Sequence, residues 1–249
     1  MYPDILNNYG DRGNVYALNR VAQTLDMTID LKRINDFEEP VDYNWADIIL
    51  FGAGELRTCQ KMADTLSANE TFKEAFEKGT FIFAFNMTGS VFAQETHRLD
   101  GSIIKGMGLL PMEGYEKEGV YGDDALVSID GMDILGTQIQ LVNYKLKEEG
   151  SQLGNMIYGY GNDYLSKKEG CRKNNLIFTN IQGPMFVNNP WYVEKILCQI
   201  AGIQVSNEPF DVEKYKDRYP LEVVSYTKII NHIHSKTKPT KEQMDFYMK

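Results

Sequence analysis

The chain has 249 residues, 43% of them hydrophobic, with a net charge of −9. That length suits one large domain better than two, the apolar fraction is ample for a core, and the negative balance argues against nucleic acid or anionic membranes as partners. Three cysteines, Cys59, Cys171 and Cys198, are too few and too scattered for a disulfide framework or a zinc site, and no run reaches the length of a membrane span.

The opening MYPDILNN has neither a basic stretch nor an apolar one, so no signal peptide is read there and a cytoplasmic protein is expected. Val15, Leu18, Val21, Ala22 and Leu25 fall on one helical face, which predicts a helix over residues 11–25. Residues 28–33 alternate like an exposed strand, and 47–51 (DIILF) read as a buried one. Gly52, Ala53 and Gly54 stop that strand. Helices follow over 57–67 and 70–78, the second closed by Gly79, and 80–85 form another buried strand. Helix and strand therefore alternate through residue 97, which predicts a parallel sheet with helices on its faces.

The second half changes character. Residues 125–129, 137–143, 155–160 and 175–180 are short β-like runs divided by glycines and charged loops. Pro190 opens a helix that ends before Gly202, residues 221–233 carry a last helical pattern, and 236–249 read as a loose polar tail. No internal repeat or linker divides the chain, so residues 206–249 are expected to extend the domain formed by 1–205.

Residues 79–93 (GTFIFAFNMTGSVFA) carry the most informative pattern: an apolar run, an abrupt polar break and a small-residue helical start. A strand entering a sharp turn and a helix is how many α/β enzymes present a nucleophile. The turn residue here is Asn86, whose amide nitrogen shares its lone pair with the carbonyl and is neither nucleophile nor base.

Four segments together resemble the class I glutamine amidotransferases of the CobB/CobQ type. They are YPDILNNYGDRGN at the start, FGAGELR at 51–57, YGYGND at 158–163 followed by Glu169 and Gly170, and IFTNIQGPMFVNNP at 177–190. The resemblance runs to about residue 200. It is nearest the type that pairs with a Mur-ligase-like synthetase to amidate a cell-wall precursor. It implies a three-layer, flavodoxin-like α/β fold with a mainly parallel central sheet and extra strands in the second half. It also implies glutamine as ligand, with Gly52, Gly54, Arg57 and Asn143 at ligand-binding positions, and neither a cofactor nor a metal.

The departures bear on function. Where the family has a Cys followed by two Gly, this chain has Asn86, Met87 and Thr88; the family's catalytic His falls on Gln182. A Phe-Glu-Asn-His stretch of the family falls on Leu141, Val142, Asn143 and Tyr144, with only the Asn kept. Glutaminase chemistry needs a thiolate and a base that returns a proton to ammonia. Neither Asn86 nor Gln182 can do this.

Asn86 has two readings, a residue holding positive φ at the turn or a ligand-binding amide. Gln182 reads as a hydrogen-bonding filler, and the loop glycines read either as oxyanion donors or as tight-turn residues. The leading expectation is a pseudo-enzyme that docks a Mur-ligase-like or other amide-forming synthetase. The alternatives are a sensor that binds glutamine or another amino acid in the old pocket, and a diverged amidohydrolase using Thr88, Cys59 or Glu55. In the family a first strand leads directly into the YPD signature, whereas here Met1 sits one residue before Tyr2. Three readings stay open: a chain that starts upstream, a sheet one strand short, or a strand supplied by a partner through edge pairing.

Overall fold

The computed structural model describes residues 1–205 and 208–236. In chain order the elements are α1 (Arg12–Thr24), β1 (Ile48–Phe51), α2 (Leu56–Ser67), α3 (Glu70–Glu77), β2 (Phe81–Phe85), a 3₁₀ turn (Asn86–Thr88), α4 (Gly89–Phe92), β3 (Glu95–His97), β4 (Ile103–Lys105), β5 (Met112–Ile129) and β6 (Met132–Leu146). There follow β7 (Gly154–Tyr158), β8 (Lys168–Glu169), β9 (Cys171–Lys173), β10 (Leu176–Thr179), α5 (Met185–Asn188), α6 (Pro190–Ile200), a 3₁₀ turn (Val212–Tyr215) and α7 (Pro220–Ser235).

The first sheet has strand order β1-β2-β10-β9, parallel throughout except for the β9 hairpin edge. All five residues of β2 are buried because helices cover both its faces. Phe81, Phe83 and Phe85 point into one cluster with Leu18 and Val21 of α1 and Trp191, Val193 and Ile196 of α6. Ile82 and Ala84 point into another with Cys59, Met62 and Leu66 of α2 and Phe72 of α3. This is the three-layer α/β arrangement, and it places the end of β2 at the centre of the molecule.

The second sheet runs β4-β3-β5-β7-β8, with β6 paired along β5. The hairpin β5–β6 is far longer than its sequence suggests. The runs at 125–129 and 137–143 are only parts of strands of 18 and 15 residues. Residues 116–124 (EKEGVYGDD) lack alternation, yet they pair antiparallel with β6 around a register shift between Glu116 and Tyr121. The helices at 57–67, 70–78 and 221–233 fall within a residue or two of their predicted bounds.

Residues 28–33 form no strand, because no neighbour pairs with them. Val223, Tyr226 and Ile233 of α7 join the same core cluster as α6, whereas the tail beyond residue 236 lies outside the described residues. Among the described residues no helix is long and apolar enough to cross a membrane.

Candidate functional site

The end of β2 sets the site. Phe85 is extended, Asn86 takes φ +56, and the chain turns through the 3₁₀ turn into α4. Asn accepts this left-handed conformation at lower cost than most residues, because its short amide makes local hydrogen bonds there. Its Nδ2 donates to Ile139 O of β6 at 2.6 Å. Gln182, past the end of β10, donates from Nε2 to the same carbonyl at 3.2 Å. The two replaced positions thus converge on one acceptor, and each is only 2% exposed. Gln182 is further fixed by two backbone hydrogen bonds with Thr137, while its Oε1 is buried without a partner among the described residues.

Beneath the turn, polar side chains face the backbone. Tyr144 is fully buried; its hydroxyl lies 3.0 Å from Ser90 Oγ and donates toward Asn86 O and Met87 O at 3.4 and 3.5 Å. Cys59 donates from Sγ to Met87 O at 3.4 Å, and Thr88 from Oγ1 to Phe85 O at 2.7 Å. Burial pushes the Cys59 thiol up to about 12, so it stays protonated near neutrality. Gly89 leaves room for the Phe178 ring, since a Cβ there would lie 2.4 Å from it.

The four sequence segments meet here. A Cβ on Gly13 would lie 2.6 Å from Pro184, and Asn14 Oδ1 accepts from Phe186 N at 2.9 Å, so the start of α1 packs on the segment after Gln182. A Cβ on Gly52 would lie 2.3 Å from Leu6 O, and one on Gly54 2.4 Å from Leu6 Cδ2. Both glycines are therefore needed for close approach of the chain to itself. Arg57 projects into solvent and pairs with Glu55 at 2.6 Å, with no contact joining it to Asn86 or Gln182. Asn143 is half-buried on β6, four residues past Ile139, and its Oδ1 lies 3.5 Å from Gln140 Nε2.

The segment 158–170 is bound by an amide network. Gln138 Oε1 accepts from Tyr160 N at 2.8 Å, and Gln140 Nε2 donates to Asn162 O at 2.8 Å. Asn162 exchanges two 2.7 Å bonds with the backbone of Gly170. Glu169, fully buried, accepts from Asn180 N at 2.7 Å and Thr179 Oγ1 at 2.9 Å. Burial raises its carboxyl pKa, against the lowering effect of those bonds. This network was not anticipated from sequence. In a strand, Gln138 and Gln140 at alternate positions read as a solvent face, yet both are buried. Among the described residues no group of His, Cys, Asp and Glu could hold a metal ion, and His97 pairs with Glu95 at 3.0 Å.

No protein-family model matches the chain. It is 28% identical over 220 residues to the lipid II isoglutaminyl synthase (glutamine-hydrolyzing) subunit GatD of Staphylococcus aureus (strain N315), covering 84% of this chain and 87% of that one. The relatives it resembles at this level are GatD subunits. The GatD subunit of Streptococcus pneumoniae (strain ATCC BAA-255 / R6) is 26% identical over 202 residues, covering 76% of this chain and 74% of that one. A solved glutamine amidotransferase structure aligns with a TM-score of 0.50 at 13% identity, over 76% of this chain and 94% of that chain. The fold of this GatD-like chain is thus that of a glutamine amidotransferase, in agreement with the resemblance of its four segments.

Proposed function

We propose that the chain is a GatD-like subunit that no longer hydrolyses glutamine and instead docks a Mur-ligase-like, amide-forming synthetase in a cell-wall pathway. The observation that carries this reading is the pair of hydrogen bonds from Asn86 and Gln182 to Ile139 O. Acyl transfer from glutamine requires an attacking thiolate at the turn and a base beside it. Both positions hold neutral amides whose nitrogens are committed to a backbone carbonyl.

Among the described residues no neighbouring group offers a replacement, and Glu55 pairs with Arg57. The Cys59 thiol is held protonated by burial, Thr88 donates to the backbone, and Ser90 pairs with Tyr144. Losing a nucleophile in a comparable hydrolase lowers turnover by roughly six orders of magnitude. Support for a synthetase partner comes from the similar GatD proteins, which are subunits of a lipid II isoglutaminyl synthase.

The test mixes the purified chain with the Mur-ligase-like synthetase of the same organism. A stable complex on size exclusion that amidates its substrate with ammonium but not with glutamine is the expected outcome. Failure to form a complex would sink the docking role, and amidation from glutamine would sink the loss of hydrolysis.

A second reading has one specific observation behind it, the unpartnered Oε1 of Gln182. A buried acceptor left without a donor suits a ligand that brings an N–H, as an amino acid's amide does. Calorimetric titration with glutamine separates the readings, because saturable heat without turnover favours the sensor.

A further inference from the structure

A cleft of about 190 Å³ opens between α1, α5 and the starts of α6 and α7. Tyr16 and Ala17 of α1, Phe186 and Val187 of α5 and Pro190 of α6 give it apolar walls, and Glu222 of α7 completes the lining. An apolar cavity of about 150 Å³ already admits a benzene ring, so this cleft takes one aromatic side chain.

The carboxylate of Glu222 is only half satisfied. Its side chain is 10% exposed; Oε1 accepts from Arg20 Nη1, whereas Oε2 is buried with no partner among the described residues. A buried acceptor in that state calls for a donor. The Arg20 guanidinium already balances the charge and would repel a second cation, so a neutral N–H or O–H suits Oε2 better. Tyr and Trp carry an apolar ring and such a donor on one side chain. The rim favours a protein as their source. Tyr16 and Val187 line the cleft yet remain 73% and 39% exposed, and Leu221, next to Glu222 in the chain, is 75% exposed. A free aromatic molecule would leave these side chains in water, whereas a protein surface seated on its anchor covers them.

We propose that this cleft seats a Tyr or Trp side chain of a partner protein, its ring against Tyr16, Phe186 and Val187 and its N–H or O–H donated to Glu222 Oε2. The proposal rests on the docking reading above and places that docking on the face shared by α1 and α5. α5 begins at Met185, just past Gln182 and Gly183. Its Phe186 N is bonded to Asn14 Oδ1, and a Cβ on Gly13 would lie 3.3 Å from Val187 Cγ2. A partner anchored here therefore bears on the same short segment that carries Gln182.

The first arm of the test uses two probes of matched shape. 3-Methylindole should bind the chain saturably, with NMR shifts confined to residues 16–21, 186–190 and 219–222. It should bind about tenfold more tightly than 3-methylbenzothiophene, which has sulfur in place of the N–H. Equal affinity, or shifts elsewhere, would overturn the proposal. The second arm titrates the Mur-ligase-like synthetase of the same organism with three forms of the chain. They are the wild type, Ala17→Leu, which fills the cleft, and Tyr16→Glu, an exposed change that leaves the core alone. Each variant should weaken the complex about tenfold or more. A wild-type complex that neither variant weakens would overturn this proposal and leave the docking reading intact. No complex with the wild-type chain would overturn both.

Discussion

The two sides of the turn at Asn86 are built differently. Underneath, Tyr144, Ser90, Thr88 and Cys59 direct their polar atoms at one another and at the carbonyls of Phe85, Asn86 and Met87. Above, Asn86 and Gln182 share a single acceptor and leave one amide oxygen unpaired. The underside holds the backbone shape through groups other than those that stand on top of it. On the proposed function the strand-to-helix turn persists without glutaminase chemistry, because the groups that hold it lie in the core.

Four substitutions sharpen or break this contrast. The largest effect is expected for Gly89→Ala, whose Cβ would press on the Phe178 ring at 2.4 Å. Overpacking of this kind costs about 3 kcal/mol, or roughly a 6–12 °C fall in melting temperature for a chain this size. A fall below about 2 °C would show that the underside yields easily and is not what fixes the turn. Tyr144→Phe comes next, leaving the buried Ser90 hydroxyl without its partner, for a loss of about 1–2 kcal/mol by denaturant titration. An unchanged midpoint would remove Tyr144 from the account.

Glu169→Gln tests the network beside Gln182 through pH. The folded carboxyl has a pKa raised above its ordinary 4.5, so the native state binds more protons than the unfolded state as pH climbs past that value. Stability from this group is thus full in acid and lost as pH rises toward the folded value. The wild-type chain should lose stability relative to Glu169→Gln over that window, by no more than about 1.4 kcal/mol per pH unit. Parallel pH profiles would contradict it. The smallest effect is expected for Gln182→Met, which removes the unpaired Oε1 while Asn86 still satisfies Ile139 O. Chemical denaturation should place it within about 1 kcal/mol of wild type. A loss of several kcal/mol would mean that the top is as built-in as the underside.

The turn and Gln182 were legible in sequence because each sits in a short local pattern: a buried strand ended by a polar break, and a Gln before Gly183 and Pro184. The joint presence of the four segments has a physical reason that only the fold reveals. Gly13 packs on Pro184 and Gly52 on Leu6 and Asp11, so each segment is a wall for another. Three features were not legible. The β5–β6 hairpin crosses the charged run 116–124, where pairing along β6 overrides the local composition. Gln138 and Gln140 follow a solvent-face pattern but face the 158–170 loop, which meets their amides with its own backbone. Residues 28–33 alternate as a strand should, yet a strand needs a neighbour, and a cavity lies where that neighbour would be.

The central claim is that the amides at positions 86 and 182 have replaced glutaminase chemistry. Glutamate release from glutamine by the purified chain tests it most directly. The rate should equal that of a no-protein control, and Asn86→Ala should not change it. Turnover on the order of 10 s⁻¹, an ordinary enzyme rate, lost on substitution of Asn86 or on alkylation of Cys59, would contradict the claim.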